Sequence, residues 1–339
     1  MFEIIIYILL LFSGIVTGFV LNLIFHECGH LISGIKNKMA FCSMSIGFFI
    51  ILKTNKGIKI KLSNSKLAGL CRMVPKNTDN VCKKFLSYAR GGLYGSLIHL
   101  TICVLCLAFF KLLSLNIILL IAGQAAAGIY LCFINFTPTE GRGLKTDGKI
   151  IKELKNKEPS AMAAVNILTL SGELYLGKTP AELSQNLLFP PFASHLSPSV
   201  DINDIILASY KYCYYLDTEN YQKLSEICAY IEGQVKNLHE IYAFSLYADL
   251  LYFELIHTKN FEKAKEIYGI IKEYLESGGD LSDFRILAAY ELFVNKNTER
   301  TEILLKQAEK EAEEYFISGI ARFEEKQIKK LTCALRFVP

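Results

Sequence analysis

Charge is missing from two long stretches of this chain. Residues 4–25 hold no charged side chain, and residues 91–136 hold only Lys111. Acidic residues are scarce between positions 36 and 90, where twelve Lys and Arg face a single acid, Asp79. No basic segment precedes the first apolar run, and a polar HECGH (residues 26–30) stands where a signal peptide would carry its small-residue cleavage site. The run therefore reads as a retained helix, not a removable leader. The ten cysteines show no paired framework: Cys28, Cys103, Cys106 and Cys132 lie in apolar segments and the rest are scattered. A disulfide scaffold is not expected. Cys103 and Cys106 form a CxxC inside an uncharged run and read as small packing residues.

What is present divides into a membrane half and a soluble half. The chain of 339 residues is 52% hydrophobic, with a mean hydropathy of +0.29, high for a soluble protein. Spans are expected at about residues 3–35, 91–110 and 117–136, each near the length that crosses a roughly 30 Å hydrocarbon core. Gly14 and Gly18 permit close helix contact in the first span, though ordinary packing also explains them. The basic segment between the first two spans marks the cytoplasmic side. Three spans then place the N-terminus outside and the C-terminal part inside. The positive charge is committed to the bilayer surface, so nucleic acid is not an expected partner. From residue 137 onward, 24 Lys and Arg face 30 Asp and Glu, so that part is mildly acidic.

Between the first two spans, residues 43–62 read as a β-hairpin around Asn55-Lys56-Gly57. Its second strand alternates Ile and Lys, whereas residues 46–52 are apolar on both faces and must be covered or dipped into the membrane surface. Residues 70–90 read as an irregular linker around Pro75, then a basic stretch. Residues 156–200 read as a second linker. Beyond it, Asn220, Asn260 and Asn297 each separate two helical stretches at spacings of 40 and 37 residues. Helix pairs at such a period suggest a helical-repeat array over residues 201–339. The middle unit, with Ala248, Tyr252, Phe261, Ala264 and Tyr268, resembles a tetratricopeptide repeat; an irregular helical bundle is the competing reading. The tyrosines between 210 and 215 sit at helical spacing and read as repeat core.

The chemistry concentrates in HECGH. In a helix four residues turn the chain about 400°, so His26 and His30 share one face a turn apart and can bind one Zn²⁺. Glu27 is near enough to take a proton from an attacking water. Two histidines and a carboxylate near the end of an apolar span are costly unless they face a partner or a cavity. A structural role as polar caps suits His30 but leaves Glu27 and His26 unexplained. Zinc needs a further protein ligand, and the end of the third span reads NFTPTEGRGLKTDG, residues 135–148.

Here the chain resembles the site-2 protease family, whose pattern is HExxH in the first core span and NxxP…DG at the third. Asn135, Pro138, Asp147 and Gly148 match the second motif, and GGLYGSL (residues 91–97) weakly resembles the family's middle-span motif, with Ser96 where Asn is common. The resemblance covers about residues 1–155. It implies a mainly α polytopic membrane protein with a three-helix protease core and a small β-hairpin, to which the asparagine spacing adds the expected soluble helical-repeat domain. It implies that His26, His30 and Asp147 hold Zn²⁺, that Glu27 is the general base, and that Asn135 bonds the substrate backbone or the developing oxyanion. The hairpin would clamp an extended substrate by strand addition.

The implied activity is zinc-dependent cleavage of a membrane-embedded peptide or protein, in regulated proteolysis or in peptide or pheromone processing. The competing reading is a non-proteolytic membrane receptor or immunity-type protein that binds partners through its repeats. With no PDZ domain inserted, residues 201–339 are the expected docking surface for substrate or a cytoplasmic protein. The interval from Asn135 to Asp147 is 12 residues, longer than the eight common in the family, which leaves Glu140 as a rival ligand. Gly148 completes the Asp-Gly pair and allows close backbone approach. Asp147 also opens a helical stretch whose free N–H groups can orient it. Residues 140–145 read as a surface excursion in which Glu140 pairs with Arg142. These arguments favour Asp147. His99 reads as a buried interhelical hydrogen-bonding residue, and His195, His239 and His257 as ordinary surface or packing residues.

Overall fold

The fold comes from a computed structural model that describes residues 2–54, 56–62, 69–141, 144–190, 202–238, 240–277 and 280–336. Asn55, Arg142, His195 and His239, named above, lie outside the described residues. The chain is mainly helical and separates into two compact units, Met1–Lys53 with Ile58–Thr169, and Thr54–Gly57 with Leu170–Pro339.

Three helices of the first unit are long and apolar enough to cross a membrane: α1 (Phe2–Lys36), α2 (Val81–Ala108) and α3 (Leu115–Phe136). Their exposed residues, such as Ile8, Phe12, Ile98, Leu105 and Phe133, are what a bilayer would cover. Small residues set the contacts between them. A Cβ on Gly29 would fall 2.2 Å from the Gly91 carbonyl oxygen, and one on Gly95 would fall 2.1 Å from that of Phe25. On the opposite flank of α1, Gly14 and Gly18 meet the α3 backbone at Leu120 and Gln124. Backbones this close place the α1 side chains directly against α2.

A four-stranded antiparallel sheet, in the order β3-β2-β1-β4, joins α1 to α2. Its strands are β1 (Met39–Ile46), β2 (Phe49–Thr54), β3 (Gly57–Leu62) and β4 (Gly69–Pro75). The expected hairpin is present as β2 and β3, but residues 46–52 are not one strand. Gly47, with φ +57°, turns the chain so that Ile46 pairs with Phe49. β4 occupies part of the expected irregular linker. Its buried residues include Cys71 and Met73, while Leu70 and Arg72 are exposed, and Pro75 falls at the end of this edge strand, where proline is tolerated. α2 likewise starts ten residues before the expected 91, because Val81, Phe85 and Ala89 form a buried stripe beneath the basic residues. Met39, Met44, Cys71 and Met73 pack with Val81, Phe85, Leu154 and Val165 into the core behind the sheet.

α3 is followed by a two-stranded ribbon, β5 (Glu140–Gly141) with β6 (Leu144–Lys145), and by α4 (Asp147–Asn156). The expected linker 156–200 instead begins with a 17-residue helix, α5 (Pro159–Tyr175), whose proline stands at its first position, where no N–H is needed. The short α6 (Gln185–Leu188) follows.

The second unit continues with α7 (Ile202–Asp217), α8 (Tyr221–Val235), α9 (Glu240–Phe253), α10 (Phe261–Glu276), α11 (Leu281–Tyr290), α12 (Thr298–Glu314) and α13 (Ser318–Leu335). The three periodic asparagines start helices. Asn220, Asn260 and Asn297 cap α8, α10 and α12, accepting from the backbone N–H of Lys223, Lys263 and Arg300 at 3.2, 3.2 and 3.0 Å. Each follows a left-handed residue, Glu219, Lys259 or Lys296. Tyr212 is buried and its hydroxyl donates to the Asp249 carbonyl at 2.9 Å, as core residues do. His257 packs between the rings of Tyr221 and Phe253.

Candidate metal centre

α1 and α4 bring three donor atoms to one point. His26 Nε2 stands 3.2 Å from His30 Nε2, and Asp147 Oδ2 stands 3.3 Å from each. Donors held about 2.0–2.1 Å from a tetrahedral Zn²⁺ are separated by about 3.3 Å, the edge of a tetrahedral face. The three atoms already span such a face. Asp147 Oδ2 is buried and lacks a properly aimed hydrogen bond, even though two imidazoles are so near. An orphaned carboxylate oxygen is costly to bury, and a shared cation satisfies it. The space beside the donors is kept clear by Gly92, where a Cβ would lie 2.4 Å from His30 Nε2 and 2.7 Å from Asp147 Oδ2. Donor types, spacing, the orphaned oxygen and the open cradle all fit Zn²⁺. Among the described residues these three form the one such cluster of potential metal donors.

The family model for peptidase family M50 matches residues 14–322. The chain belongs to this family. M50 peptidases, the site-2 protease family, are intramembrane zinc metalloproteases, and the match extends well beyond the first 155 residues into the second unit. No curated protein and no solved structure matches the chain.

In this M50 chain the long Asn-to-Asp interval has a local explanation. The Thr146 hydroxyl donates to the Thr137 carbonyl oxygen (2.7 Å) and accepts from the Thr139 N–H (3.2 Å) and the Lys149 N–H (3.3 Å). One side chain thus caps α4 and ties it to the end of α3. The residues between loop out as β5 and β6 without moving Asp147. Glu140 sits on that ribbon, exposed and opposite Lys145. Gly148 does approach backbone closely, but against the Phe136 and Asn135 carbonyls, where a Cβ would lie 2.2 and 3.0 Å from the oxygens. Asn135 is half-buried in the last turn of α3.

Behind each imidazole stands a second partner. His30 Nδ1 donates to the Tyr88 carbonyl (2.9 Å), and the Tyr88 ring stacks on it at 4.6 Å. His26 Nδ1 lies 3.1 Å from Ser96 Oγ, Ser96 Oγ donates to Asn22 Oδ1 (3.0 Å), and Asn22 Nδ2 lies 3.2 Å from His99 Nδ1. His99 Nε2 is 3.8 Å from Cys103 Sγ. One polarity satisfies every link: His26 donates to Ser96, Ser96 to Asn22, Asn22 to His99 and His99 to Cys103. That assignment leaves both His26 Nε2 and His30 Nε2 unprotonated, as metal donors must be. His99 is the interhelical hydrogen-bonding residue expected, and Cys103 and Cys106 are free thiols.

Asn22 escaped the sequence reading, although a buried amide one turn before His26 in an uncharged span is a signal in itself. Glu27 is buried below β4 and accepts a hydrogen bond from the Cys71 backbone N–H. Among the described residues its Oε2 has no partner. The Tyr88 hydroxyl donates to the Cys71 carbonyl, so this one strand residue is tied at both ends to the centre. Burial and the nearby Glu27 carboxylate push the Cys71 thiol up to about 12, so it stays protonated and takes no part as a thiolate.

Proposed function

We propose that the chain is a zinc-dependent endopeptidase that cleaves a peptide bond of a membrane-embedded substrate. The observation that carries the reading is the triangle of His26, His30 and Asp147 donors with the open oxygen of Glu27 buried beside it. Zn²⁺ held by the three would polarise the scissile carbonyl and activate water. Glu27 takes the proton of the attacking water on Oε2, while the Cys71 N–H steadies its other oxygen. It then passes the proton to the leaving amine. Ser96, Asn22 and the Tyr88 carbonyl hold the two imidazoles in orientation. Asn135 serves the substrate backbone or the oxyanion. Cleavage of a membrane-inserted peptide by the purified chain should stop when zinc is chelated and return when it is restored. Cleavage that survives zinc depletion would refute the reading.

The substrate clamp is better assigned to β4 than to the hairpin expected from sequence. β4 is an edge strand, and the Cys71 N–H and C=O both turn away from β1 toward Glu27 and Tyr88. An extended peptide laid along that edge passes over the general base; the Cys71 N–H and C=O are already taken by Glu27 and Tyr88, so the strand bonds fall to the other outward-facing residues of β4. The substrate class is a single-span or membrane-bound peptide, as in regulated proteolysis or pheromone processing. The receptor or immunity-type alternative gives no use to Glu27 with an open oxygen. The helix pairs between residues 202 and 335 support a tetratricopeptide-like array that docks substrate or a cytoplasmic partner.

For the topology we keep the N-terminus outside and the second unit cytoplasmic, from the twelve-to-one basic excess between residues 36 and 90. Cysteines introduced at Lys56 or Asn260 should resist an impermeant reagent on intact cells. Labelling of either position from outside would reverse the orientation.

A further inference from the structure

We infer that the first unit carries a specific seat for an anionic phospholipid where α2, α3 and α4 meet. A cavity of about 440 Å³ opens there, lined by Arg90, Leu93 and Tyr94 of α2, Phe136 of α3, and the face of α4 that carries Gly148, Ile151, Lys152 and Lys155. Three of its lining residues are cations: Arg90, Lys152 and Lys155. None of the three has an acidic partner within ion-pair distance among the described residues. Of the two acids on α4, Glu153 is already taken by Lys145 (2.8 Å) and Lys149 (3.4 Å), and Asp147 faces His26 and His30 at 3.3 Å. The cavity therefore presents concentrated, uncompensated positive charge, which suits a phosphate group.

The surroundings make the source of that phosphate a lipid. Arg90 is the last charged residue before the uncharged stretch of α2, which puts the cavity at the level of a membrane surface. Tyr94 and Phe136 on its rim are 59% and 45% exposed, at the depth where aromatic rings favour the headgroup boundary. Beyond them, Ile98 and Ile102 of α2 and Ile129 and Phe133 of α3 are also exposed, offering an apolar track for acyl chains. A soluble phosphate would use the cations but not the track. The seat also touches the centre's support: Gly148 lines it and directly follows Asp147. An occupied seat braces the start of α4, so the lipid is suited to steady the third ligand.

The test uses the full-length chain in a neutral detergent, with phosphatidylglycerol and phosphatidylcholine offered at equal concentration and bound lipid counted by native mass spectrometry. Wild type should prefer phosphatidylglycerol, and Lys152→Gln with Lys155→Gln should weaken that preference by about 30-fold. Zinc content and melting temperature verify that the pair still folds. Lys53→Gln with Lys61→Gln, which removes the same charge from exposed strand positions outside the cavity, should leave the preference intact. Equal loss in both pairs would mean diffuse attraction and overturn the seat, as would the absence of any preference in wild type. Displacement of the lipid by inorganic phosphate at matching concentration would show a free-anion pocket and overturn the lipid assignment.

Discussion

Glu27→Gln is expected to lower proteolysis by about 10²–10⁴-fold while the purified chain keeps its zinc. The proposed metal donors are His26, His30 and Asp147, and none of their mutual distances of 3.2–3.3 Å depends on Glu27. Glutamine keeps the volume and can still accept from the Cys71 N–H through its amide oxygen, so the packing under β4 survives. What is lost is the basic oxygen. Oε2 of Glu27 is buried without a partner among the described residues, and replacing it by an NH₂ group removes the acceptor proposed to carry the water proton. The check is paired: metal analysis and cleavage of a membrane-inserted peptide on the same sample. Full zinc with near-normal cleavage in Glu27→Gln would remove the proposed general base. Zinc loss together with activity would instead make Glu27 part of the metal's support.

The centre was legible in the sequence to the extent that its parts follow local rules. The i, i+4 relation of His26 and His30 is a property of any helix, and the apolar run before them guarantees the helix. Asp147 could be favoured because Gly148 follows it and a helix starts there, although the capping side chain turned out to be Thr146. The network behind the ligands was only half legible. His99 could be read as interhelical, but its bond to Asn22 joins residues 77 apart, which no local pattern reveals. The sheet was harder. β4 has seven residues, interrupted by Arg72 and closed by Pro75, so its period-two burial was too short to stand out. The start of α2 is hidden by the lysines on its exposed side, because in sequence a run of charge marks the end of a span. In the second unit the asparagine spacing was visible because an N-cap favours a side-chain acceptor, and Asn220, Asn260 and Asn297 each start a helix.

The second large effect separates Asp147 from Glu140. Asp147→Asn should weaken zinc binding by more than about 100-fold, beyond what loss of an outer-shell partner costs, and cleavage should fall with it. The oxygen concerned lies 3.3 Å from both imidazole nitrogens and has no properly aimed hydrogen bond of its own. Asparagine is nearly isosteric, so α4 and the Thr146 cap should remain. It removes the negative charge, however, and its amide can turn an N–H toward the donors, where a cation would be repelled. Glu140→Gln should change neither zinc nor cleavage. Glu140 is exposed on the ribbon opposite Lys145, in the excursion that the Thr146–Thr137 bond closes off. Its carboxylate is solvated, and removing one exposed charge there costs little. Measuring bound zinc by competition with a chromophoric chelator, beside a melting curve for each variant, distinguishes ligand loss from unfolding. Zinc loss confined to Glu140→Gln would transfer the third ligand to the ribbon and require the 140–145 excursion to fold over the centre. Loss in Asp147→Asn alone, with the melting curve of the zinc-free protein unchanged, would leave Asp147 as the ligand that joins α4 to the two histidines of α1.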